Sequence, residues 1–186
     1  MNEPIILASG SPRRRELLAL AGIPFRVQVS QADETLPQGL PPEKAVEILA
    51  QRKARSIPSQ TELILAADTV VALDGKIYGK PQNEGDARRI LAELSGKTHQ
   101  VHTGVCLRRG EKERVFHETA QVEFYPLTEE EIARYVASGE PMDKAGAYGI
   151  QGKGALLVRR ITGDYYTIVG LPIARVVREL AVFAEE

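Results

Sequence analysis

The sequence predicts one domain that combines strands with helices, and three segments carry that expectation. Ile5-Ile6-Leu7-Ala8 reads as a short buried strand, and Ser9-Gly10-Ser11-Pro12 turns it into a helix start. Leu63 to Leu73 is apolar except at Asp68 and Thr69, the pattern of a central strand covered on both faces. Between them a helix runs from about Pro42 to Ser56 with Ala45, Val46, Ile48, Leu49 and Ala50 as its apolar stripe. At 186 residues the chain can bury one sizeable core, and it has room for two small lobes.

In chain order, the first helix has Ser11 as its N-cap and Pro12 at its first position, and it continues to Gly22. Arg13, Arg14 and Arg15 crowd its opening turn, where backbone N–H groups and the helix dipole are already positive. Such a turn is either a phosphate cradle or a solvated arginine patch. Phe25, Val27 and Val29 alternate with Arg26 and Gln28 as a half-buried strand, and a polar loop through Asp33, Glu34 and Thr35 follows. In the helix after it, Lys53 falls ~80° from Ala45 at ~100° per residue, near the middle of the apolar stripe. A lysine so placed either meets an anion or snorkels its ammonium into water.

Asp68 sits inside the apolar strand, and an ionised carboxylate there needs cations, a metal or hydrogen bonds around it. It is the first candidate for chemistry, with a structural carboxylate that caps the neighbouring loop as the alternative. Asp74-Gly75 supplies a tight hairpin, Gly79-Lys80-Pro81 adds a lysine, and Asn83 caps a helix with Ala87, Ile90, Leu91 and Leu94 inward. Gln100 to Arg108 and Val115 to Tyr125 read as a long hairpin, with His99, His102 and His117 on the sheet surface. Thr128 and Glu131 form a capping box for a helix that stops at Ser138-Gly139. Gly146, Gly149, Gly152 and Gly154 then bracket a loop whose backbone can approach a ligand closely. Leu156 to Ile161 and Tyr165 to Val169 read as a second hairpin, and Pro172 opens a last helix with Ile173, Val176, Val177 and Leu180 inward.

With 43% hydrophobic and 26% charged residues and a net charge of −1, no global basic field draws the chain to nucleic acid or a membrane. The single cysteine, Cys106, excludes an internal disulfide framework and fits a reducing compartment. No charged-then-apolar leader and no apolar run approaching ~20 residues is present, so the cytoplasm is the expected location. Walker-type, dinucleotide-binding, His-Glu-x-x-His and Cys-x-x-Cys motifs are absent, and the aromatics are too scattered for stacking on single strands.

Leu7-Ala8-Ser9-Gly10-Ser11-Pro12-Arg13-Arg14, Ala67-Asp68-Thr69-Val70-Val71, Gly79-Lys80-Pro81, Ser95-Gly96, Thr103-Gly104, Asp143-Lys144-Ala145-Gly146-Ala147-Tyr148-Gly149-Ile150-Gln151-Gly152 and Val169-Gly170-Leu171-Pro172 follow one another in this order. Together they resemble the Maf-like nucleoside triphosphate pyrophosphatases, over about residues 4 to 180. The Ala-Asp-Thr and Gly-Ala-Tyr-Gly-Ile-Gln-Gly forms look like the branch acting on dTTP and UTP.

The resemblance implies a single domain over residues 1–186 with a mixed α/β fold: a twisted sheet with flanking helices and two lobes around a deep cleft, similar to the inosine triphosphate pyrophosphatases. It implies hydrolysis between the α and β phosphates, a homodimer, and a divalent cation, Mg²⁺ or Mn²⁺. It places the catalytic base on Asp68 and nucleotide choice on Arg13, Thr69 and Gln151, with Ser9, Arg14, Glu34, Lys53 and Lys80 around the phosphates. Asp68 either orients and deprotonates the water directly or holds, with Glu34, the metal that activates it, and Glu34 alone reads equally as an exposed loop carboxylate. A regulator of septum formation that binds a nucleotide or partner without turnover is the alternative function.

Overall fold

The computed structural model describes residues 3–37 and 39–185. Among them, β1 (Ile5–Leu7), β2 (Phe25–Val27), β3 (Ile64–Leu73), β4 (Lys76–Tyr78), β5 (Thr98–Arg109), β6 (Lys112–Phe124) and β7 (Val158–Thr162) form one sheet. Its order is β2-β1-β3-β5-β6-β7, with β4 paired to β3. β1 runs parallel to β2 and β3, while β3 with β4 and β6 with β7 are antiparallel. The helices are α1 (Pro12–Leu20), α2 (Pro42–Arg55), α3 (Glu84–Leu94), α4 (Glu129–Val136), α5 (Tyr165–Val169) and α6 (Ile173–Glu185). The expected mixed α/β architecture is therefore present, a mixed sheet with helices attached.

The chain divides into two compact units. Met1–Asp68, Thr103–Glu118 and Gly170–Glu186 form the first. Its core joins Ile6, Ala8, Ile64, Ala66 and Cys106 to Ala50, Ala54 and Ile57. Cys106 is fully buried, and burial pushes its thiol up to about 12, so it is an inert core side chain. In this unit α2 comes so close to β5 that a Cβ on Gly104 would lie 2.4 Å from the backbone carbonyl of Val46. Only a glycine admits that approach.

Thr69–His102 and Thr119–Val169 form the second unit, around Val71, Ile90, Leu91, Leu94, Val122 and Phe124. Asp74 and Gly75 both take positive φ, 51° and 78°, which makes the tight turn between β3 and β4. The expected Asn83 cap and the Thr128–Glu131 capping box are both formed.

Several local expectations are corrected. Tyr165–Val169 is a helix, because the Asp164 carboxylate accepts the Thr167 N–H at 2.7 Å and its hydroxyl at 2.8 Å. That cap outweighs the β-branched composition, and β7 pairs with β6 instead. Leu156 belongs to a 3-10 turn before β7 and is exposed. Val27 and Val29 are exposed, since the edge strand β2 is short and buries little beyond Phe25. Val177 is exposed as well, and Phe183 takes the inward position one turn after Leu180.

His99 and His102 are buried rather than on the sheet surface, because side chains pack over these positions of β5, among them Phe124 and Tyr148 against His99. His99 Nε2 lies 2.8 Å from the Tyr148 hydroxyl, and its ring meets Phe124 and Tyr148 edge to face. His117 remains partly exposed, 2.7 Å from Glu47 Oε1.

Candidate active site

The turn after β1 is organised by Ser9, not by Ser11. Ser11 holds the N-cap position but makes no capping bond with its side chain. The buried Ser9 hydroxyl accepts the Ser11 N–H at 3.2 Å and the Arg14 Nη1 at 3.1 Å. Arg14 also donates from Nε to the Gly170 carbonyl at 2.8 Å, so the arginine turn is tied to the segment that precedes α6. Burial lowers the Arg14 pKa; Asp68 opposes this, Arg13 adds to it, and Glu34 opposes it. The guanidinium thus lies within electrostatic reach of both candidate carboxylates.

Lys53 meets an anion, the first of the two outcomes its position on α2 allowed. Its ammonium contacts Asp68 Oδ1 and lies 3.0 Å from Glu34 Oε1. The Lys53 and Asp68 side chains are only 13% and 12% exposed, whereas Glu34 is 63% exposed. A nearly buried carboxylate is therefore offset by a nearly buried cation, the pairing that an apolar strand demands of it.

Glu34 reaches this position because its loop is clamped by Arg52, a residue the sequence reading passed over. Arg52 Nη1 donates to the Thr35 carbonyl at 2.6 Å and to the Asp33 carbonyl at 3.3 Å, while Asp33 Oδ1 accepts the Thr35 N–H at 2.9 Å. The signal was present, since Arg52 precedes Lys53 on α2 beside a polar loop, but exposed arginines carry no such mark individually.

The first unit thus brings together Ser9, Arg13, Arg14, Glu34, Lys53 and Asp68. Thr69, Lys80 and Gln151 belong to the second. Thr69 is partly buried and follows Asp68 directly in β3, and Lys80 and Gln151 are exposed. Within that unit the Gly146 N–H donates to the Gly79 carbonyl at 3.1 Å, joining the glycine loop to the segment that carries Lys80. Glu140 and Tyr135, which hold the loop around Gln151, also escaped the sequence reading.

Among the described residues no group of three or more His, Cys, Asp or Glu could hold a metal ion. Two carboxylates on one cation do match the donor set of a hard divalent ion that takes its other ligands from substrate phosphates and water. Among the described residues, no helix is long and apolar enough to cross a membrane.

A Staphylococcus aureus Ham1 protein structure is similar over 66% of this chain and 72% of its own, with a TM-score of 0.46 and 16% identity. Two proteins called dTTP/UTP pyrophosphatase, from Bacillus mycoides strain KBAB4 and Bacillus cereus strain B4264, are each 54% identical over 181 residues, 96% of this chain and 95% of theirs. The Maf-like protein family model matches residues 4–183. The chain belongs to the Maf-like protein family.

Proposed function

We propose that this chain hydrolyses dTTP and UTP between the α and β phosphates, giving the nucleoside monophosphate and pyrophosphate. The names of its relatives support the reaction class and the pair of substrates. The structural observation that carries the reading is the buried Asp68 carboxylate on the Lys53 ammonium, in the same unit as the arginine turn.

In this reading the Asp68 carboxylate orients the attacking water and accepts its proton. The water oxygen bonds to the α phosphorus, the bond to the bridging oxygen breaks, and pyrophosphate leaves with the charge it gains. Arg13, Arg14 and Lys53 face that charge with fixed cations, and Lys80 is the fourth cation assigned to the phosphates. Asp68 and Glu34 are the residues that would hold Mg²⁺ or Mn²⁺. Such an ion, when bound, lowers the pKa of water and screens phosphate charge. Gln151 reads the base, since a carboxamide accepts from the imide N3–H of uracil or thymine and donates to the adjoining carbonyl. A homodimer working in the cytoplasm as one Maf-like domain completes the reading.

Separating the products after incubation with UTP tests it. UMP with pyrophosphate is the expected outcome, lost on chelation and restored by Mg²⁺ or Mn²⁺. UDP with orthophosphate overturns the cleavage position, and absence of turnover with either metal leaves a binding regulator as the function. Gln151→Ala is expected to flatten the preference for UTP over CTP, and a retained preference removes Gln151 from base reading.

A further inference from the structure

The backbone on both sides of Gln151 is gripped by one tyrosine and one glutamate. Tyr135, on α4, accepts the Gly149 N–H on its hydroxyl at 3.1 Å and donates that hydroxyl to Glu140 Oε1 at 2.9 Å. The same Oε1 accepts the Gly154 N–H at 3.0 Å, and Oε2 accepts the Lys153 N–H at 3.0 Å. Lys144 Nζ donates to the Glu140 carbonyl at 2.7 Å and to Asp143 Oδ1 at 2.6 Å, which fixes the segment that carries the carboxylate.

The loop has been fitted to this grip. Gly152 has φ 76°, and a Cβ there would lie 2.8 Å from Glu140 Oε2. A Cβ on Gly154 would lie 2.1 Å from the Gly149 carbonyl oxygen and 2.8 Å from the Tyr135 hydroxyl. Burial alone would raise the Glu140 pKa, but the N–H groups of Lys153 and Gly154 and the Tyr135 hydroxyl outweigh it and lower the value. At neutral pH the carboxylate is therefore a charged acceptor, which makes these bonds stronger than neutral ones.

We infer that Glu140, acting with Tyr135, is a positioning residue for base selectivity: it holds the turn from Gly149 to Gly154 so that the Gln151 side chain reaches the base from one fixed backbone position. The inference rests on the reading of Gln151 as the base reader. An amide that can rotate suits cytosine as well as uracil, so selectivity requires a neighbouring group to fix its flip, and a turn held in place keeps Gln151 beside such a group. None of the carboxylates or cations assigned above to the phosphates or the metal takes part in this grip. Its loss should therefore act on KM and on the choice of base more than on kcat.

The test compares wild type, Glu140→Ala, Glu140→Gln, Tyr135→Phe and Gln151→Ala in kcat and KM for UTP and CTP, with thermal melts alongside. Glu140→Ala is expected to raise the KM for UTP about tenfold or more while kcat changes much less, and to collapse the UTP-over-CTP ratio. Glu140→Gln keeps an acceptor oxygen and is expected to recover much of that ratio. A Glu140→Ala protein that melts earlier yet keeps the wild-type ratio overturns the inference and leaves Glu140 a structural anchor. Should Glu140→Ala not fold, Tyr135→Phe removes one hydroxyl from the same grip and must lower the ratio; an unchanged ratio overturns the inference. A wild type without preference, or a Gln151→Ala protein that keeps it, overturns the base-reader reading and this inference with it. Collapse in Gln151→Ala but not in Glu140→Ala or Tyr135→Phe overturns the positioning role alone.

Discussion

Asp68 and Glu34 meet on a single ammonium, that of Lys53, which contacts Asp68 Oδ1 and lies 3.0 Å from Glu34 Oε1. One lysine thus joins a strand residue buried among aliphatic side chains to an exposed loop residue. The two carboxylates share this one cation.

Asp68→Asn keeps the shape of the side chain and removes its charge and its capacity to take a proton. Turnover of UTP should fall by about 10²-fold or more, while calorimetry should still detect nucleotide binding. Turnover near the wild-type rate would remove Asp68 from the chemistry.

Lys53→Met leaves the Asp68 carboxylate in its apolar strand without its cation. With these side chains 13% and 12% exposed, urea unfolding should register a loss of about 3 kcal/mol. Combining Lys53→Met with Asp68→Asn should cost less than the sum of the two, by about 1 kcal/mol or more, because the second change removes the stranded charge. Strict additivity would show that the contact carries no coupling.

Gly104→Ala places a methyl 2.4 Å from the Val46 carbonyl group, where backbone and not a flexible side chain must yield. The expected loss of stability is about 1–3 kcal/mol. Turnover should fall as well, since Lys53 lies on the same helix that has to move. Unchanged kinetics in a destabilised protein would mean that α2 tolerates the shift without displacing Lys53.

Burial holds the His99 pKa at about 4, below its ordinary value of 6.5. The unfolded chain protonates this imidazole first as the pH falls, so its contribution to stability is complete above about 6.5 and is lost progressively down to about 4. The loss over that window is roughly 3 kcal/mol. His99→Gln, which cannot titrate, should flatten the stability profile there in urea melts. A profile with the wild-type slope would assign the titration elsewhere.

Most of the elements were legible in the sequence because their signals are local. The apolar run of β3, the stripe of α2, the caps at Asn83 and Thr128 and the Asp74-Gly75 turn each depend on neighbours within a few positions. The signals at Tyr165–Val169 are local too, but there β-branched composition competes with the cap from Asp164, and the cap prevails. His99 and His102 were misplaced for a different reason. A histidine in a strand is polar by type, and only the groups that pack on the sheet, here Phe124 and Tyr148 against His99, decide whether its face is covered.

By itself the sequence determined that an acid lies within a buried strand, that a lysine lies on the inner face of a helix, and that arginines open another helix. Periodicity alone assigns a side chain to a face, so those statements needed no partner. Which anion Lys53 meets, that Arg14 is held by Ser9 and Gly170, that Arg52 carries Glu34 to Lys53, and that Glu140 grips the loop around Gln151 were decided by tertiary structure. Hydrogen bonds and ion pairs need distances held to within a few tenths of an ångström between groups that are often far apart in the chain. Packing sets those distances, and no local pattern of residues encodes them.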